Sequence, residues 1–148
     1  MSTLKPLLAN HHEYCDSLFA KAEEAANEED WDACETRMTA FADALEAHFA
    51  VEETILFPAF EAATGMAGGP TSVMRGEHTQ MRELVAAIRA ATSSRNADDF
   101  FGSCETLVIF MEQHNRKEEG ILYPMCDDRI PDTAAMAEDL GQRLGVTT

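Results

Sequence analysis

One stretch of this chain occurs twice, and that repetition restricts the fold more than any other feature. The eleven residues from His48 to Pro58 (HFAVEETILFP) recur from His114 to Pro124 (HNRKEEGILYP), 66 residues later. Six of the eleven positions are identical, and a seventh pairs Phe57 with Tyr123. The same offset carries His12 onto His78. Four of the five histidines therefore fall into two copies of one pattern: a histidine, a second 36 residues on, and a glutamate four further. Two such halves are expected to meet about a pseudo-two-fold axis.

Each half reads as a helical hairpin. The first helix is expected to start near Ser2 or Thr3, with Pro6 in its first turn. Its stripe, Leu8, His12, Cys15, Phe19 and Ala22, has the helical period with a histidine inside it, and the helix stops near Asn27. The second opens at Asp30, a good N-cap, and carries Phe41, Leu45, His48, Glu52 and Ile55; Pro58 should kink or end it. The run Thr64-Gly65-Met66-Ala67-Gly68-Gly69-Pro70 is the seam between the halves. The third helix starts near Thr71 or Ser72 with stripe Met74, His78, Met81, Val85 and Ile88. After a turn at Thr92 to Asn96, the fourth runs from about Ala97 through Leu107, Met111, His114, Glu118 and Ile121 to Pro124. A short tail helix is expected from Pro131 to about Leu144. No stretch alternates with a period of two. The expected fold is all-α: an up-down-up-down antiparallel four-helix bundle built from two duplicated helical hairpins, with a short C-terminal helix. Residues 1–148 form one domain, with half-site one at about 3–63, a linker at 64–71, half-site two at about 72–125 and a tail at 126–148.

A chain of 148 residues can bury an adequate core without disulfides. Its net charge of -16 argues against nucleic acid and anionic membrane as partners, because phosphate binding needs clustered Lys and Arg. No apolar run approaches the ~20 residues of a membrane span, and Met1 to Pro6 does not read as a signal peptide. Cys15, Cys34, Cys104 and Cys126 form no C-x-x-C pair and read as reduced thiols of a cytoplasmic protein.

The repeat points to metal chemistry. Residues four apart share a helix face, so His48 points with Glu52 and His114 with Glu118, both inside apolar stripes. A buried carboxylate is costly unless paired or metal-bound. His12 and His78 add one imidazole from each remaining helix. Four imidazoles and two carboxylates suit iron, manganese or zinc better than calcium or magnesium. Two-fold symmetry divides six ligands into two sets of three: His12, His48 and Glu52; His78, His114 and Glu118. Only a carboxylate can bridge two cations, so Glu52 and Glu118 are the expected bridges. With an oxo or hydroxo bridge, about two of roughly twelve coordination positions remain open, as a reactive site requires.

The neighbours of these residues are assigned as follows. The offset pairs His11 with Glu77 and the stripe selects His12, so His11 is expected to be partly exposed. Glu53 and Glu119 read as exposed or capping residues, with a role as hydrogen-bond partners or alternative ligands left open. Asp16 is a surface charge or a partner of a ligating imidazole; its counterpart is Arg82. Phe49, Met74, Met81 and Met111 are core residues that would keep the site dry.

This spacing, with its Glu-Glu-x-Ile-Leu-Phe/Tyr-Pro tails, resembles the hemerythrin-like (HHE cation-binding) family from about Leu7 to about Pro124. The resemblance implies a four-helix bundle around two iron ions, oxo- or hydroxo-bridged, with manganese or zinc as alternatives. Its implied ligands are dioxygen or reactive oxygen and nitrogen species, in a sensing or binding role. The alternatives are an enzyme consuming peroxide or nitric oxide, and an iron or zinc homeostasis protein. The implied partner is a diatomic or peroxide ligand, and the protein is expected to be a monomer or weak homo-oligomer. Oxygen-carrying members have His-x-x-x-His on the third helix, whereas Met74 and Arg82 flank His78 here. They also have His-x-x-x-x-Asp on the fourth, where His114 is followed by Glu118 and Glu119. These departures disfavour reversible oxygen carriage. The Glu-x-x-His pairs of ferritin-like proteins are absent, since Leu45, Arg75 and Met111 stand three residues before His48, His78 and His114.

Overall fold

The computed structural model describes residues 3–146, and every regular element in that range is helical. Helix α1 spans Leu4–Asn27 and α2 spans Trp31–Val51, which continues through a π-helical turn, Glu52–Leu56, into α3, Phe57–Thr64. The second half repeats this: α4, Pro70–Ser94; α5, Ala97–Lys117; a π-helical turn, Glu118–Leu122; and α6, Tyr123–Arg129. Helix α7, Thr133–Leu144, follows. The expected start at Ser2 lies outside the described residues, and α1 is helical from Leu4.

The duplication extends to the hairpin turns. Glu29 and Arg95, 66 residues apart, both adopt the left-handed conformation, with φ of 59° and 57°. The next residue closes each helix end: Asp30 N–H donates to Ala25 O at 2.9 Å and Asn96 N–H to Ala91 O at 3.0 Å. The same residue then caps the following helix. The Asp30 side chain accepts from Ala33 N–H, and that of Asn96 from Asp99 N–H, both at 3.1 Å. A left-handed non-glycine residue costs roughly 1–2 kcal/mol, which these end-closing and capping bonds offset.

Neither proline ends its helix, contrary to the sequence expectation. In the π turns the bonds run five residues back: Phe57 N–H to Glu52 O and Tyr123 N–H to Glu118 O. Pro58 and Pro124 stand next in line, where each lost donor would have served a carbonyl five residues earlier. For Pro58 that carbonyl, Glu53 O, accepts instead from Arg75 Nη1 at 3.1 Å. The helix therefore continues through the proline.

The π turns also correct the apolar stripe. An α-helical period places Ile55 and Ile121 inward after the glutamates. An extra residue per turn moves the inward positions on by one or two. Ile121 is 59% exposed, whereas Leu56, Phe57, Leu122 and Tyr123 are buried.

Two apolar clusters form the core. One holds Cys15, Phe19, Phe41, Leu45, Met81, Ile88, Leu107 and Met111; the other holds Leu4, Leu8, Val51, Phe57, Met74, Tyr123 and Leu140. Helices α1 and α4 pass from the second cluster to the first, while α2 and α5 pass from the first to the second. A histidine of the repeat stands at each crossing: His12 between Leu8 and Cys15, His48 beside Phe49 of the first cluster and ahead of Val51 of the second, His78 between Met74 and Met81, and His114 between Met111 and Leu122. The repeat thus sets one polar layer between two apolar ones. Contacts run between α1 and α2, α4 and α5, α2 and α4, and α1 and α5. Helix α7, whose role the sequence left open, packs Ala137 and Leu140 into the second cluster against α1 and α2. Asp127 of α6 accepts from Thr3, Leu4 and Lys5 N–H at 3.0, 2.8 and 3.1 Å, fastening α6 to the start of α1. Among the described residues no helix is long and apolar enough to cross a membrane.

Candidate metal centre

The structure brings all six expected ligands into the polar layer. They form two groups of four that share both glutamates: His12, His48, Glu52 and Glu118, and Glu52, His78, His114 and Glu118. Within each group the candidate ligand atoms lie within 4.8 Å of one another, and every residue is buried. Glu52 turns Oε2 to His48 Nε2 at 3.3 Å and Oε1 to His78 Nε2 at 3.1 Å. Glu118 Oε1 stands 3.1 Å from both His12 Nε2 and His114 Nε2. The two glutamates thus have the positions that bridging would need.

The strongest sign of a missing cation lies in the second group. Glu52 Oε1, His78 Nε2, His114 Nε2 and Glu118 Oε2 are buried without a hydrogen-bond partner among the described residues. Each such atom costs about 1–3 kcal/mol. Separations of 3.1 Å without hydrogen-bond geometry are what ligands on one ion show, since adjacent ligands on ~2.1 Å bonds lie roughly 3.0 Å apart. The donor set therefore fits a transition metal.

Burial alone would raise the Glu52 carboxyl, but the His48 imidazole beside it, with His78 and Glu118 close by, holds it well below the usual range. Burial would lower His12; hydrogen bonding and charge from Glu118, aided by Glu52 and Glu119, raise it to about 9. His114 is raised in the same way against its burial, chiefly by Glu118.

Each of the four imidazoles turns Nε2 inward and is held at Nδ1 by an outer partner. His12 Nδ1 meets Glu119 Oε2 at 2.8 Å, and His78 Nδ1 meets Glu53 Oε2 at 2.7 Å. His114 Nδ1 meets Glu77 Oε1 at 2.8 Å, and His48 Nδ1 meets His11 Nδ1 at 2.8 Å. The partners obey the repeat, because Glu53 maps onto Glu119 and His11 onto Glu77. Such partners fix the tautomer and the ring direction. Two sequence expectations are thereby corrected. Glu53 and Glu119 orient imidazoles rather than serving as exposed or capping residues. His11 is not partly exposed: it is 2% exposed and stacks on His48. Burial, with the neighbouring His48 and His12, lowers its pKa to about 4.

His12→Ala should remove a donor and with it one metal. His11→Ala should keep the metal count and weaken affinity on the order of 10-fold, the effect of losing an orienting partner. Metal analysis after dialysis, with a competitive titration, separates these outcomes. Equal loss of metal from both variants would show that His11 is itself a ligand.

The flanks of the centre differ. Arg82 clamps Glu53 through Nη1 at 2.9 Å and binds Glu46 through Nη2 at 2.6 Å. Its guanidinium lies over Phe49, whose ring stacks on His78 at 3.9 Å. On the opposite flank Asp16 takes the place of Arg82. Burial, against the His12 charge and with Glu119 and other carboxylates nearby, raises its pKa. Asp16 and Glu119 line a surface groove with Phe19, Met111 and Asn115. Phe49, Met74, Met81 and Met111 are buried, as expected.

Tyr123 was missed by the sequence reading as a functional residue. It is 0% exposed, and its hydroxyl lies 2.6 Å from Glu52 Oε2, 3.0 Å from Glu118 Oε1 and 3.1 Å from both His12 Nε2 and His48 Nε2. Burial, with the Glu118 and Glu52 charges, raises its pKa well above the ordinary value. The only trace in the sequence was its pairing with Phe57.

The model of the hemerythrin HHE cation binding domain matches residues 3–126. Curated proteins called "Iron-sulfur cluster repair protein YtfE", from Salmonella paratyphi B, Salmonella newport and Salmonella heidelberg, are each 29% identical over 96 residues. The match covers 59% of this chain and 44% of each relative, so the chain spans less than half their length. No solved structure matches.

Proposed function

Because the chain belongs to the hemerythrin HHE cation-binding family, we propose that it is a cytoplasmic di-iron protein that binds dioxygen or a reactive oxygen or nitrogen species. In this reading residues 1–148 form one domain, an up-down-up-down bundle of α1, α2, α4 and α5, as the alternating passage between the two core clusters suggests. His12 and His48 would hold one iron and His78 and His114 the other, with the Glu52 and Glu118 carboxylates shared between them. The observation that carries this reading is the set of four buried, unpartnered atoms on Glu52, His78, His114 and Glu118. The metal pair, when bound, supplies two electrons and a coordination site for a small oxidant. The chain's own residues direct four imidazole nitrogens inward, hold the Glu52 carboxyl below its ordinary range and exclude water with Phe49, Phe57 and the methionines. These roles belong to a binding or sensing module. Iron handling is a second reading, favoured by the name of the relatives, whose whole-chain activity comes to this shorter chain only as a proposal.

Anaerobic loading with Fe(II) followed by metal analysis should give two iron ions per chain. Admission of air should then produce a ligand-to-iron charge-transfer spectrum. One iron per chain, or zinc uptake with no iron uptake, would sink the di-iron reading. Return of the starting spectrum on degassing marks reversible binding, and turnover of added peroxide well above that of free iron marks an enzyme.

A further inference from the structure

We infer that the Tyr123 hydroxyl is a ligand of one metal only, the one held by His12 and His48, and that exogenous ligands are confined to the other. This rests on the two-metal reading above. The sequence halves are duplicated, yet the centre they form is unequal. In the first group His12 Nε2, His48 Nε2, Glu52 Oε2 and Glu118 Oε1 all lie within 3.1 Å of one phenolic oxygen. In the second group Phe57 takes the matching place. Its ring lies nearly parallel to that of His78, centroids 5.7 Å apart, and offers carbon only. All four unpartnered atoms belong to this second group.

The argument is one of space. A cation bound to the four atoms of the first group at ~2.1 Å must lie beside an oxygen that is itself within 3.1 Å of each of them. The oxygen must then bind the cation or leave. Leaving is blocked. Tyr123 is fully buried in the second core cluster, its backbone N–H is fastened to Glu118 O, and Asp127 ties its helix to the start of α1. Withdrawing the hydroxyl into that apolar cluster would also strip it of every polar partner. Coordination keeps the side chain in place.

The exchange is balanced. The metal–oxygen bond forms as the phenolic O–H bond breaks, the proton is released to solvent, and no electron is transferred; release of ligand protons is the general rule on metal binding. The first metal gains an anionic oxygen that the second lacks. Its coordination is correspondingly fuller, and the position open to azide, peroxide or a diatomic molecule lies on the Phe57 side.

Tyr123 and Tyr14 are the chain's two tyrosines, and Tyr14 is 53% exposed, so a tyrosinate signature has one candidate source and one control. The iron-loaded, oxidised full chain should show a visible phenolate-to-ferric band and tyrosinate modes in resonance Raman. Tyr123→Phe should lose both while retaining two irons, and Tyr14→Phe should keep both. Azide should bind at one equivalent in the parent protein and at two in Tyr123→Phe. Parent protein with two irons and no tyrosinate modes overturns the inference and leaves the di-iron reading intact. Two azides bound to the parent also overturn it. Fewer than two irons in the parent defeats the di-iron reading, and this inference with it. The parent spectrum decides the matter even if Tyr123→Phe fails to fold.

Discussion

Glu52→Ala is expected to abolish stable binding of the metal pair. Glu52 sends one oxygen to each group, Oε2 towards His48 and Oε1 towards His78. Its removal takes a donor from both subsites and deletes one of two negative charges facing two cations. The loss should be on the order of 1,000-fold in affinity, about 4 kcal/mol. Glu53→Ala is the informative comparison, because Glu53 touches only the outer nitrogen of His78. Loss of an orienting partner costs on the order of 10- to 100-fold, so the neighbouring glutamates should differ clearly. Folding should survive Glu52→Ala, since deleting a buried charge relieves desolvation as well as removing contacts. Metal analysis after dialysis, with circular dichroism as the control for folding, tests this. Two firmly held metals in Glu52→Ala would rule out Glu52 as a bridge.

Metal loading should raise the melting temperature by roughly 10 °C. Four polar atoms of Glu52, His78, His114 and Glu118 are buried without partners among the described residues, and a cation would satisfy them. A ligand at 1,000 times its dissociation constant that binds only the folded state adds about 4 kcal/mol. For a chain of about 150 residues each kcal/mol is worth roughly 2–4 °C. Calorimetry with and without Fe(II), and again after chelation, would measure the shift. A melting temperature indifferent to metal would mean that the centre is satisfied without one.

The helical stripes were legible because they depend on local spacing. His48 and Glu52 share a face through helix pitch alone, and the 66-residue offset chose His12 over His11 without any structure. The first errors appear where the backbone leaves the α pattern. The stripe through Ile121 failed because the π turn after Glu118 widens by one residue, and no side-chain period announces that change. A kink or end is expected at Pro58 because its lost bond is counted in α register. Its neighbours supply the answer: Arg75, far along the chain, takes the freed Glu53 carbonyl.

The second kind of error concerns partners. Glu119 reaches His12 across 107 residues and Glu53 reaches His78 across 25. The sequence spacing of such pairs says nothing about their distance. His11 was judged by its own helix, where it stands beside the apolar stripe, yet packing with α2 buries it against His48. The duplication did hold a clue, since the outer partners map onto one another as faithfully as the expected ligands do.

The sequence by itself determined the ligand inventory: which helix carries each imidazole, which carries each carboxylate, and that the two halves match. Helix pitch and an exact offset are one-dimensional facts, and they survive without coordinates. Only the tertiary structure decided that both glutamates belong to both groups, that His11, Glu53, Glu77 and Glu119 stand behind the imidazoles, and that Tyr123 makes the halves unequal. Those relations are distances between side chains on separate helices, set by how the two apolar clusters pack above and below the polar layer.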